Sequence, residues 1–225
     1  MVAPLTGHAI AGAIWYQGES NVGTWQTYRP LMETLIGSWR KAWGREFPFY
    51  LVQIAPYDYG NNLDAAYLRE QQSALQQFPR TGMVVISDLV DNVKDIHPVN
   101  KHDVGLRLAN MALGDYYGRP VGEFRNPVFK GIQKEKSRMV LEFNHAPGGV
   151  VLRGEKLAGM QVSGDDGNWL PAEGKIEKGK LVIWNKTLKT PVHVRFGFGN
   201  ATIGNLFSAA GLPVAPFRTD ALTGQ

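Results

Sequence analysis

Residues 9–21, Ala-Ile-Ala-Gly-Ala-Ile-Trp-Tyr-Gln-Gly-Glu-Ser-Asn, decide the fold. The run 9–16 is short and apolar, and Gln17-Gly18 ends it. A brief apolar stretch closed by a turn signal reads as a buried strand running into a loop. The same pattern returns at 49–55 (FYLVQIA, closed by Pro56) and at 83–87 (MVVIS). Helix-spaced segments lie between and after these runs. Residues 28–43 place Leu31, Leu35, Ile36, Trp39 and Trp43 on one side, and Gly44 stops them. Residues 63–78 interleave Ala66, Tyr67, Ser73 and Ala74 with Glu and Gln, and Pro79 follows. Residues 100–117 align Val104, Leu108, Met111 and Ala112, with Gly118 at the end. Three buried strands alternating with helices predict an α/β class fold with a parallel sheet and helices on both faces.

After Gly118-Arg119-Pro120 the pattern changes. Short strand-like runs at 139–143, 150–152, 160–162, 181–184 and 192–198 alternate with turns such as Pro147-Gly148-Gly149 and Asp165-Asp166-Gly167-Asn168. That spacing predicts a small antiparallel β-domain. The expected division is an α/β core over 1–122 and a β-rich accessory domain over 123–225. The basic cluster at 130–138 reads as a strand edge or turn.

Composition narrows the partners. The net charge of +4 comes from scattered residues, with no basic stripe interleaved with aromatics, so nucleic acid is not an expected partner. No apolar run approaches the ~20 residues that span a bilayer. The chain has no cysteine, which excludes disulfides. Its Trp, Tyr and Phe residues supply core material, and aromatic faces of this kind also pack on sugars.

Two segments carry chemistry. Gln17 to Asn21 follow the first strand, and Asp95-Ile96-His97-Pro98 lie in the loop after the third. In open parallel sheets the C-terminal ends of the strands form the ligand edge. A histidine there is suited to act as general base in acyl transfer. Gln17 offers a side-chain amide and Gly18 an unobstructed N–H, and both suit a developing oxyanion. Asn21 is read as holding the same loop. Arg69 and Gln72 either orient substrate or coat a helix face. No metal or other cofactor is expected: His97 and His102 are five residues apart, not the four that put two ligands on one helical face. The run 165–168 is too short for a calcium loop.

WYQGESN at 15–21, LREQQ at 68–72, DIHPVNKHDVGLRLA at 95–109 and PVAPFRTD at 213–220 together resemble the sialate O-acetylesterases of the SGNH hydrolase superfamily. The resemblance runs nearly end to end. It implies a flavodoxin-like three-layer sandwich with a β-rich accessory domain, and metal-free serine-esterase chemistry on O-acetylated sugars. It also implies export to the periplasm or cell exterior. It assigns His97 as base and Gln17 and Gly18 as oxyanion donors. The acid that orients His97 stays open. Across much of the superfamily it lies three residues before the histidine, where this chain has Lys94. Asp95 lies two before, and Glu19 competes because related carbohydrate esterases use a Glu after Gln-Gly.

The family's nucleophile sits in a Gly-Gln-Ser-Asn segment upstream of WYQGESN, and no such segment occurs here. The chain is therefore expected to be N-terminally truncated, to lack the first strand, to carry a gap inside its sheet, and to be inactive alone. Ser20 does not replace the nucleophile, because the elbow motif needs Gly two residues later and Val22 stands there. Acetylxylan esterase and a non-catalytic carbohydrate-binding fragment are the alternative readings.

Overall fold

A computed structural model describes residues 2–220. Strand β1 (Ala13–Trp15), helix α1 (Tyr28–Trp43), strand β2 (Phe49–Val52), helix α2 (Asp64–Ala74), strand β3 (Thr81–Val84) and helix α3 (Lys101–Met111) follow in that order. The strands pair in the order β1-β2-β3, all parallel, with Leu51 between Trp15 and Met83. All four residues of β2 are buried, as expected of a central parallel strand covered on both faces. Phe49 and Leu51 pack with Ile36 of α1 and Leu68 of α2. Tyr50 and Val52 point the other way, onto Val104, Leu108 and Met111 of α3. Strand alternation thus assigns α1 and α2 to one face and α3 to the other.

The helix ends follow from the sequence. Gly44 takes a left-handed conformation, φ 63°, and its N–H donates to the carbonyls of Arg40 and Lys41. The Asn100 side chain accepts the Asp103 N–H and caps α3. Helix α2 ends in a 3₁₀ turn, Leu75–Gln77, and α3 runs into a π turn over Ala112–Tyr116. No helix among the described residues is long and apolar enough to cross a membrane.

The expected gap inside the sheet is absent. The three strands are contiguous, and β1 and β3 are the two outer strands of the sheet. The order β1-β2-β3 is the reason: each strand pairs directly with the next, which leaves no place for a strand between them. Ile14, in the middle of β1, is 66% exposed. Next to it lies a groove of about 160 Å³ lined by Ile14, Tyr50, Ala112, Tyr116 and Tyr117.

The second half is antiparallel. It comprises β4 (Val128–Glu135), β5 (Arg138–Asn144), β6 (Val150–Leu152), β7 (Met160–Ser163), β8 (Leu170–Pro171), β9 (Glu173–Glu177), β10 (Lys180–Trp184), β11 (His193–Phe196), β12 (Leu206–Ser208) and β13 (Phe217–Arg218). One sheet runs β4-β5-β10-β9 and the other β13-β11-β7-β8, with β12-β6 as a separate pair. Leu141, Leu181 and Ile183 of the first sheet share a core with Val162, Val194 and Phe196 of the second. Residues 130–135, read from sequence as an edge or turn, belong to β4.

The two halves are joined by buried polar contacts. Asn126 accepts the Val85 N–H at 3.0 Å and donates to the Pro213 carbonyl at 2.9 Å. Arg218 grips Glu70 of α2 through two bonds of 2.7 and 3.0 Å. Phe198 meets Tyr67 edge-on, with ring centroids 5.5 Å apart. Asn126→Ala leaves two buried backbone groups unpaired, so urea unfolding of the chain should show a loss of about 2–4 kcal/mol. A loss below about 0.5 kcal/mol, typical of a surface substitution, would mean that Asn126 does not hold the halves together.

Candidate active site

The turn after β1 is held from below by a buried polar relay. Gln72 of α2, 0% exposed, accepts the Ile54 N–H at 2.9 Å. Its amide donates to the Tyr28 hydroxyl at 3.3 Å, and that hydroxyl donates to the Gln17 carbonyl at 3.0 Å. Each of these three side chains bonds the next group in the relay, which is what makes such an arrangement stabilising. Gly18 sits directly on it: a Cβ there would stand 2.8 Å from Ile54 Cγ2 and 3.0 Å from Gln72 Nε2. Glycine is required at 18 for close approach, and the relay fixes where its N–H points. Gln72 therefore does not coat the helix; it positions the turn.

Above the relay, the Gln17 side-chain amide donates one N–H to Asn21 Oδ1 at 2.8 Å, and the Asn21 N–H donates to the Gly18 carbonyl at 2.8 Å. The second amide N–H of Gln17 and the backbone N–H of Gly18 have no partner among the described residues. Two fixed, unused donors on one turn are what an oxyanion site needs. Ser20 is exposed on the following 3₁₀ segment, Glu19–Thr27.

Glu19 lies among tyrosines. Burial first, and the Glu19 carboxylate second, push Tyr16 and Tyr59 up to about 12. Tyr16 in turn lies under Lys101 Nζ, 4.9 Å from the ring centroid, at the start of α3. That contact ties the end of β1 to the start of α3.

His97 stands on the exposed side of its loop, with its side chain 85% accessible. Asp95 Oδ1 accepts the His97 backbone N–H at 2.9 Å and lies 4.0 Å from Nδ1 of the ring. This is an Asx turn that shapes the loop, not a hydrogen bond to the imidazole. Glu19 makes no bond to His97 either. The loop is anchored at its start by a clamp that the sequence does not advertise. Arg107 of α3 makes two 2.7 Å bonds to Asp88 and one of 2.6 Å to the Val85 carbonyl. Farther on, His102 pairs with the adjacent Asp103 at 2.9 Å.

The family model for carbohydrate esterase, sialic acid-specific acetylesterase, matches residues 2–114. The chain belongs to that family. It is 29% identical to the sialate O-acetylesterase of Mus musculus over 222 residues, covering 88% of this chain and 41% of the mouse protein. It is 31% identical to the Homo sapiens sialate O-acetylesterase over 160 residues, 62% of this chain and 30% of the human protein. Its fold is similar to a solved carbohydrate acetylesterase from Xanthomonas citri, with TM-score 0.89 and 36% identity over 97% of this chain and 52% of that one. The chain thus spans less than half the length of these mouse and human relatives.

The tyrosines offer a direct check on where Glu19 lies. A phenol held above its ordinary value of 10.0 binds its proton more tightly in the folded state. Its stabilising contribution is therefore complete below pH 10 and is lost as the pH rises toward about 12. Glu19→Gln removes the secondary cause only, so Tyr16 and Tyr59 should titrate earlier but still above 10.0. Ultraviolet titration of tyrosinate reads this. An unchanged curve would place the carboxylate away from both rings.

Proposed function

We propose that this chain supplies the oxyanion turn and the general base of a carbohydrate O-acetylesterase acting on acetylated sialic acid or a related sugar. The reading is carried by one observation. In a member of this family, the turn after β1 holds two unused N–H donors over a buried relay, and the loop after β3 presents an accessible histidine at the same edge. The SGNH-type reading of the core is supported by the parallel order β1-β2-β3 with helices on both faces.

The nucleophilic serine is assigned to a further strand paired with the free edge of β1. Exposed Ile14 on β1, and Leu113 and Tyr117 just after α3, support this assignment. In the reaction, His97 takes the serine proton as the oxygen attacks the acetyl carbonyl. Charge on the carbonyl oxygen is met by the Gln17 amide and the Gly18 N–H. The tetrahedral species collapses as His97 returns the proton to the departing sugar hydroxyl. Water, deprotonated by His97, then attacks the acetyl-serine; the acyl–serine bond breaks as His97 returns that proton to the serine oxygen, and acetate leaves. Asp95 or Glu19 orients the imidazole once substrate and the added strand cover it; apo geometry is often looser than the working one.

Acetate release from p-nitrophenyl acetate and from an O-acetylated sialic acid tests this. The chain alone should stay near the residual acceleration left without a nucleophile, roughly 10³–10⁴ over water. The protein with its upstream segment should turn over. That turnover should fall by at least about 10³-fold in His97→Ala and be unaffected by Ser20→Ala. Turnover by the short chain that Ser20→Ala abolishes would relocate the nucleophile. An inert long form would favour the non-catalytic carbohydrate-binding reading.

A further inference from the structure

Between the two site segments lies a third loop, residues 57–62, with the sequence Tyr-Asp-Tyr-Gly-Asn-Asn. It leaves the C-terminal end of β2, the middle strand, so it stands between the β1 turn and the His97 loop. The His97 loop touches it directly. The Asp58 N–H donates to the Val93 carbonyl of the His97 loop at 2.8 Å. Tyr59 lies close enough to Glu19 for that carboxylate to act on its phenol. The Tyr59 hydroxyl is buried and has no hydrogen-bond partner among the described residues. Tyr57 and Tyr59 meet edge to face, with centroids 4.8 Å apart. Asp58, Asn61 and Asn62 are exposed. Tyrosine rings beside the free amide of Asn61 and the exposed carboxylate of Asp58 suit a pyranose, which has apolar C–H faces and a rim of hydroxyls.

The shape of this loop is set from the far end of the chain. Asn200, in the turn after β11, is buried. Its side-chain amide donates to the Gly60 carbonyl at 3.2 Å and to Asn62 Oδ1 at 2.8 Å. Its side-chain oxygen accepts the Ala65 N–H at the start of α2 at 3.1 Å. Its own carbonyl accepts the Tyr57 N–H at 3.1 Å and Arg69 Nη1 at 3.2 Å. One residue of the β-sandwich thereby bonds both ends and the middle of the loop. Within the loop, the Gly60 N–H closes onto Asp58 Oδ1 at 3.2 Å, and Gly60 adopts φ +90°, which glycine tolerates best. A loop this thoroughly bonded is rigid before substrate arrives, so little ordering cost attaches to binding.

We propose that residues 57–62 read the sugar that carries the acetyl group, and that Asn200 is the positioning residue that holds them in shape. The proposal rests on the esterase reading. It adds that the β-sandwich is part of the specificity apparatus, and that the ligand is a pyranose packed on Tyr57 with its hydroxyls on Asp58 and Asn61.

The test uses the protein with its upstream segment and two substrates, an O-acetylated sialic acid and p-nitrophenyl acetate. Asn61→Ala alters an exposed side chain and should leave the melting temperature unchanged. Its KM for the sugar ester should rise about threefold to tenfold, with kcat nearly constant, as expected when uniform binding is lost. Turnover of p-nitrophenyl acetate should not change. Asn200→Ala should show the same split, with a larger rise in KM and faster amide hydrogen exchange confined to residues 57–65. Equal losses on both substrates in Asn200→Ala, or an unchanged KM for the sugar in both variants, would overturn the proposal. Absence of turnover of either ester by the unsubstituted protein would instead defeat the esterase reading. In that case unaltered exchange at 57–65 in Asn200→Ala would still refute the role given to Asn200.

Discussion

A guanidinium without a carboxylate holds this molecule together. Arg69 of α2 is 1% exposed and donates to the Gly199 and Asn200 carbonyls of the sandwich turn, the first of these a very short contact. Burial pushes it down to about 10, the direction expected when a cation loses water and gains only neutral acceptors. Such a group is costly unless its partners are fixed in place. The sandwich turn must therefore sit where it does, or Arg69 is stranded. One turn of helix farther on, Gln72 carries the relay to the Gln17 carbonyl. The buried polar face of α2 thus sets both the docking of the β-sandwich and the geometry of the β1 turn.

This arrangement changes how the second half is best regarded. An accessory domain on a linker would leave the strand-end loops to arrange themselves. Here the chain segment at 199–200 is bonded into the loop after β2, and Arg218 is bonded to Glu70 on the same helix. The aromatic stack of Trp25 on Tyr67, 4.7 Å between centroids, extends the contact to the segment that follows the β1 turn. Two hydrogen bonds, from Tyr57 N–H to the Asn200 carbonyl and from Asp58 N–H to the Val93 carbonyl, thus lead from the sandwich turn to the loop that carries His97.

The sequence made the local elements legible and left the distant contacts hidden. Helix α1 is readable to its last residue because Gly44 caps it, and β2 because four buried residues in a row leave no alternative. The short runs around Val140, Val162 and Val182 announce the sandwich by apolar content. Strand β4 is legible only as a strand edge or a turn, because Lys130, Lys134 and Glu135 sit in an edge strand exposed along much of its length. Strand β9 escapes altogether, since Glu173, Lys175 and Glu177 are exposed on another edge strand. Gln17, Gly18 and His97 are visible as motifs at strand ends, and Asn21 as part of the first one. The roles of Asn200 and Arg69 depend on contacts across about 130 positions, which no local pattern encodes. Strand order is equally non-local, which is why the sequence suggests a gap within the sheet where the strands in fact pair contiguously.

The central claim is that the β1 turn and His97 face one reacting carbon. A crystal structure of the long form inactivated with a serine-directed phosphonate tests it most directly. The account predicts an adduct on a serine whose strand pairs with β1. The phosphonyl oxygen should be within hydrogen-bond reach of the Gly18 N–H and the Gln17 amide, with a ring nitrogen of His97 beside the ester oxygen. An adduct on Ser20, or one whose oxygen lies away from Gly18 with His97 turned to solvent, would contradict it.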